Sequence, residues 1–308
     1  MSLSYTATAR FNASLEDTWG AWTKPDRLSQ WLGALHSGPI QSGADFVLTS
    51  ILPYHSGRHR LTECDPMTRL SWEWFVEGVP TEVDVTFESI HEGAVVHVAH
   101  TVTLAEGPSF VEPFADDGGS FYFLGQSWSN ALYRLRSLLD GDRMMVEYGD
   151  TNNGHAIDLS LDITASAADI FSLLMDSDKL KQMDGAFFLD GTTIEPKRGG
   201  KYSYGWYPEG TPEVDKKDGP ISIVDYEEGC RFSYGWYGPN TNSIVKWGLS
   251  AQDGDYTRVH FSHHNLYGHS LGNVWSYRSG WTETLYTLKW YLEAGGEPEK
   301  WLTDSHQN

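Results

Sequence analysis

Leu3, Tyr5, Ala7, Ala9 and Phe11 alternate with polar residues, the period of a half-buried strand. Ser14 followed by Asp17 predicts a helix N-cap, so a helix is expected from Leu15, with Trp19 and Trp22 on one face. Lys24-Pro25-Asp26 breaks it, and a second short helix ends before Gly33. Strands are expected over Asp45–Leu52, His59–Glu63, Arg69–Trp74, Glu82–Ser89 and Ala94–Leu104. In the last of these Val96, Val98 and His100 share one face and His97 lies on the other. Glu106–Gly119 has no period and reads as a loop. An amphipathic helix then runs from Trp128 to Asp140, with Trp128, Leu132, Leu135 and Leu139 in one stripe.

The same programme occurs again. Ile157, Leu159, Leu161 and Ile163 alternate like the first strand, and Thr164–Phe171 parallels Asn12–Trp19. Arg231–Trp236 parallels Arg69–Trp74, and Ile244–Leu249 and Thr257–His264 follow as strands. Trp281, Leu285, Leu288 and Leu292 repeat the helical stripe before Gly295-Gly296. Gly149–Gly154 is the most linker-like stretch. The expectation is α+β: two tandem domains, each a curved antiparallel sheet wrapped around a long C-terminal helix. The boundaries are placed at 1–146 and 152–296, with 297–308 as a frayed polar tail.

Composition narrows the function classes. At 308 residues the chain is long enough for two cores of about 150 residues each. Aromatic residues reach 14%, including 13 Trp, which favours large apolar surfaces or cavities. The formal charge of −20 opposes phosphate backbones and anionic lipid, so neither nucleic acid nor membrane is an expected partner. Two cysteines, Cys64 and Cys230, make no disulfide framework and no CxxC pattern; each reads as a small buried residue before its strand. With no basic n-region and apolar h-region at the start, and no long apolar run, a cytoplasmic protein is expected.

These elements resemble a known family. The "AS..D.W" helix, Pro25-x-x-Leu28-x-x-Trp31, the Gly199-Gly200 turn, Arg69-Leu70-x-Trp72-x-Trp74, Thr257-Arg258-Val259 with His263, and Gly280-Trp281 carry the likeness. The chain is similar to the START-like (SRPBCC) superfamily, and within it to the bacterial homologues of the activator of heat-shock-protein-ninety ATPase. The first half departs at Ser127-Trp128 and at Ser42-Gly43; the second has Ser177–Met183 in place of Pro-x-x-Leu-x-x-Trp. The resemblance implies a helix-grip fold, often with a cavity between sheet and helix that holds varied apolar ligands. It also implies, by analogy alone, a chaperone contact.

His100 and His263 occupy the same inward position in the two halves. Each could bind a ligand head group or act as acid or base, or could be a core ring satisfied by its neighbours. Tyr204 and Trp206, Tyr234 and Trp236, and Trp247 form aromatic rows; Trp72, Trp74 and Trp128 are their first-half equivalents, and Trp281 sits on the closing helix. Aromatic rings with polar tips suit either an oriented apolar ligand or a packed core. His263, His264 and His269 do not make a metal set, since adjacent strand residues face opposite ways and no acid completes them. No nucleophile motif or phosphate loop is present, so no catalytic residue and no cofactor is assigned. The expected function is binding of a small hydrophobic or aromatic molecule. The alternatives are a cyclase or dehydratase using His263 or His100, and a chaperone-associated module.

Overall fold

Serine caps and strand alternation set the first elements of both units. The structure is a computed structural model that describes residues 2–37, 40, 42–49, 57–76, 79–103, 119–141, 145–149, 156–212, 215–238, 243–253, 255–267, 271–296 and 301–307. Ser14 Oγ accepts the Asp17 backbone N–H at 3.1 Å and donates to the Asp17 carboxylate at 2.9 Å. Ser166 makes the same pair of bonds with Asp169, at 3.1 and 2.6 Å. These caps satisfy amides that the helix itself leaves unpaired.

The first unit runs β1 (Ser2–Phe11), α1 (Leu15–Thr23), α2 (Pro25–Trp31), β2 (Ala34–Ser37), β3 (Asp45–Thr49), β4 (Gly57–Asp65), β5 (Arg69–Val76), β6 (Val79–Ile90), β7 (Gly93–Thr103) and α3 (Gly119–Leu139). The second runs β8 (Glu147–Tyr148), β9 (Ala156–Ile163), α4 (Ala167–Leu174), α5 (Ser177–Met183), β10 (Thr192–Ile194), β11 (Tyr202–Tyr204), β12 (Gly219–Glu227), β13 (Arg231–Tyr237), β14 (Ser243–Ala251), β15 (Thr257–His264) and α6 (Leu271–Glu293). A last strand, β16, spans Leu302–Gln307.

Residues 1–143 and 300–308 make one compact unit, and 144–299 make the other. The first sheet is antiparallel in the order β16-β1-β7-β6-β5-β4-β3-β2. The second has the order β12-β13-β14-β15-β9-β8, and the β10-β11 hairpin joins it through a bridge between Lys201 and Ser222. Each unit is a helix-grip: its sheet closes on its own long helix. Alternation does this work, as in β9, where Ile157, Leu159, Leu161 and Ile163 are buried and the residues between them are not. Tyr5 Oη on β1 meets Ser129 Oγ on α3 at 3.2 Å, tying sheet to helix. Each helix also has a buried cation paired one turn on: Arg136 with Asp140 at 3.2 Å, and Lys289 with Glu293 at 2.6 Å.

Three expectations need correction. The tail is not frayed: Leu302–Gln307 pairs with β1 from Ala9↔Leu302 to Ser4↔Gln307. Trp301 anchors it, buried against Phe11 and Tyr133, with the Arg136 guanidinium 4.9 Å from its ring centre. Its polar sequence suits an edge strand, where backbone pairing rather than side-chain burial decides the structure. Both long helices begin well before the predicted Trp, at Gly119 and Leu271, so Trp128 and Trp281 sit mid-helix. Cys230 is exposed and Cys64 half-buried. The predicted loop at 106–118 and the centre of the predicted linker, 150–154, lie outside the described residues. Among the described residues no helix is long and apolar enough to cross a membrane.

Candidate functional site

In the first unit, Trp22 on α1, Trp72 on β5 and Trp128 on α3 form a triangle of indoles, with ring centroids 6.2, 6.2 and 6.5 Å apart. Trp74 packs edge-on against Trp128 at 5.8 Å, and Trp31 against Trp22 at 4.7 Å. Trp31 donates its N–H to the Ala21 carbonyl at 2.9 Å. The Nε1 atoms of Trp22 and Trp72 and the hydroxyl of Thr18, one turn before Trp22, have no hydrogen-bond partner among the described residues, although all are buried. Such an atom costs about 1–3 kcal/mol when its bond to water is lost and not replaced.

The corresponding interior of the second unit is closed on itself. Tyr204 and Tyr234 share a hydroxyl bond of 2.6 Å, Trp247 donates to Tyr234 at 3.5 Å, and Tyr202 donates to the Leu174 carbonyl at 3.1 Å. Burial pushes the phenols of Tyr202, Tyr204 and Tyr234 above their ordinary range. One oxygen of Asp218 accepts from Trp236 at 2.6 Å, from Tyr277 at 2.9 Å and from the Gly219 amide at 2.9 Å. Burial first, then the Asp218 charge, raises the Tyr277 phenol. The alignment of Thr164–Phe171 with Asn12–Trp19 puts Ile170 in the place of Thr18 and Leu174 in that of Trp22.

The inward histidines are built alike. His100 Nδ1 accepts the Trp128 indole N–H at 3.0 Å, and its Nε2 meets Thr81 Oγ1 at 2.7 Å. An indole only donates, so Nδ1 is the acceptor and the ring proton sits on Nε2. Thr81 in turn donates to the Trp74 carbonyl at 3.1 Å. Burial, with His59 adding, lowers His100 to about 3, so it is neutral at pH 7. His263 repeats the arrangement with Trp281 at 3.2 Å and Ser243 at 2.7 Å. Both rings are fully buried and bolt helix to sheet. His264 points the other way and pairs with Asp158 at 3.1 Å, as strand alternation requires; His269 lies outside the described residues.

Residues 12–140 and again 164–293 match the family described as Activator of Hsp90 ATPase homolog 1-like protein. The chain belongs to that family. It holds two copies of the Activator of Hsp90 ATPase homolog 1-like domain in tandem. Among solved structures, the crystal structure of CalU16 from Micromonospora echinospora is 24% identical, with 43% of this chain and 73% of that one covered and a TM-score of 0.33. DynU16, a protein of the dynemicin biosynthetic locus, is 17% identical over 96% of this chain and 99% of its own, with a TM-score of 0.37. The Aha1 dimer from Colwellia psychrerythraea is 16% identical over 46% and 98%, with a TM-score of 0.36. At these scores the likenesses add nothing to the family match. No curated protein matches the chain.

Within this family domain the candidate residues fall into two groups. Trp72, Trp74, His100 and Trp128 meet in the first unit, and Tyr204, Tyr234, Trp236, Trp247, His263 and Trp281 line the second; all are buried. Trp206 departs from the predicted row, because β11 ends at Tyr204 and Gly205 turns the chain with a φ of 77°. Trp206 is half-buried, donates to the Phe187 carbonyl at 2.8 Å and still packs on Trp236 at 5.6 Å. Thr18, Trp22, Asp218 and Tyr277 were not singled out as site residues. Copy-to-copy alignment could have flagged the first two, where a polar-tipped residue faces an aliphatic one; nothing in the sequence marks the others.

Proposed function

We propose that the protein binds a small apolar or aromatic molecule carrying an oxygen acceptor, in the first unit between α1, β5 and α3. The observation that carries this reading is the set of unpaired buried donors, Trp22 Nε1, Trp72 Nε1 and the Thr18 hydroxyl, with the Trp22 and Trp72 rings 6.2 Å apart. Core packing does not require them, since the second unit folds the same way with Ile170 and Leu174 at two of the three positions. An acceptor on the ligand would satisfy N–H groups that the protein leaves open, while the indole faces supply apolar contact. The family relationship supports a ligand-binding fold. The interior of the second unit, with its polar tips bonded to one another, is not assigned a ligand.

Acid–base catalysis by His100 or His263 has a specific obstacle, because both nitrogens of each ring are engaged. A chaperone contact rests on the family description alone.

Titration of the full chain with 1-acetylnaphthalene and with naphthalene tests the proposal. The ketone is expected to bind about tenfold or more tightly than the hydrocarbon, the worth of one buried hydrogen bond. Trp72→Phe or Trp22→Phe, which keeps an aromatic ring and removes the N–H, should narrow that preference. No binding of either probe, or a preference that survives in both variants, would contradict it.

A further inference from the structure

The two sheets differ on their outer faces, away from the aromatic interiors. In the first unit Arg69 on β5 makes a fork with Asp84 on β6: Nε to Oδ1 at 2.7 Å and Nη2 to Oδ2 at 3.1 Å, with Ser71 Oγ on Oδ1 at 2.8 Å. His97 on β7 is held by Thr8 at 2.9 Å and lies 3.7 Å from Glu88. Strand register identifies the equivalents. Arg69 pairs with Thr86, Ser71 with Asp84, and Thr86 with His97. In the second unit Arg231 pairs with Gly248, Ser233 with Lys246, and Gly248 with His260. So Lys246 stands where Asp84 neutralised the arginine, and Gly248 stands where Thr86 filled the surface.

These two exchanges leave a groove of about 370 Å³ whose lining includes Asp158, Ser160, Arg231, Lys246, Gly248 and His260. The glycine is not forced by the backbone or by crowding: a Cβ there would meet nothing nearer than the His260 Cβ at 3.8 Å. The neighbouring acids each have a partner. Asp158 in the lining pairs with His264 at 3.1 Å, and Glu147 pairs with Arg258 at 3.2 Å and accepts from Ser160 at 3.2 Å. Arg231 reaches Glu227 at 3.1 Å and Asp225 at 3.6 Å. Lys246 and His260 face the groove in a chain whose net charge is −20. A lysine in a concave site against an acidic background draws small anions there.

We propose that this groove binds a small oxyanion, a carboxylate or a phosphate, with Lys246 and His260 donating to it. Charge-assisted bonds of this kind are the stronger class. The test follows the Gly248 amide and the His260 ring by NMR while the full chain is titrated with inorganic phosphate and, separately, with citrate. Saturable shifts are expected at Gly248 and His260 and not at Thr86 and His97. Response to phosphate alone or to citrate alone assigns the oxyanion; response to both supports the shared chemistry. Lys246→Asp, which restores the first unit's pairing, should weaken binding about tenfold or more. Gly248→Thr, which fills the notch with the first unit's own residue, should weaken it as well and keeps the test open if the charge reversal disturbs folding. The proposal fails if neither anion gives a saturable shift, if His97 responds as strongly as His260, or if both variants bind as well as the native chain.

Discussion

The first and second units share one scaffold and finish their interiors differently. What they have in common is structural: a serine cap on the first helix, a Trp–His–hydroxyl bolt between long helix and sheet, and a buried cation paired one turn on. Where they differ, the first unit has polar tips with no partner among the described residues, at Thr18, Trp22 and Trp72. The second has Ile170, Leu174 and a Tyr234 already bonded to Tyr204. A fold that stands without those donors in one copy does not need them in the other. Features present in both copies therefore report on stability, and features present in one report on what that copy is for.

The comparison breaks most visibly at the C-terminus. Trp301 and β16 belong to the first unit although the chain reaches them after the second. Trp301→Ala should cost the first unit about 3–5 kcal/mol, the range for a buried Trp. Hydrogen exchange should then show β1 amides 4–9 losing protection while β9 amides 156–163 keep theirs. Equal loss in both strands would mean that the tail is not specific to the first unit.

The strand alternation, both caps, the inward histidines and the duplicated order were all legible in the sequence, because period-2 and period-3.6 burial leave direct marks. The N-terminal turns of α3 and α6 were not: they contain Gly125, Gly272 and Gly280, whose helix propensity is low, and tertiary packing overrides it. The strand at Leu302–Gln307 has no apolar alternation, so only its pairing reveals it. Of the candidate site, the aromatic rows could be read from spacing. Whether each indole N–H finds a partner could not, because that depends on atoms from elements distant in sequence.

A smaller effect sharpens the comparison through pH. Burial lowers His100 to about 3 from an unfolded value of 6.5, so between these values the unfolded chain takes up a proton that the folded chain refuses. Stability from this group is present above about pH 6.5 and falls with pH by up to about 1.4 kcal/mol per unit, until the loss is complete below about 3. Urea unfolding at pH 7 and pH 5 should show a steeper loss for the native chain than for His100→Gln. Parallel losses would mean that His100 is not held neutral.

The central claim is that the first unit keeps open donors which the second has closed. Its most direct test compares the unfolding free energies of Trp72→Phe and Trp281→Phe in the ligand-free protein. Trp281 donates to His263, so its replacement should lose that bond, about 1–3 kcal/mol, on top of the lost ring volume. Trp72 Nε1 has no partner among the described residues, so Trp72→Phe, which bears the same loss of ring volume, should cost less than Trp281→Phe by about 1 kcal/mol or more. A loss at Trp72 as large as that at Trp281 would contradict the account.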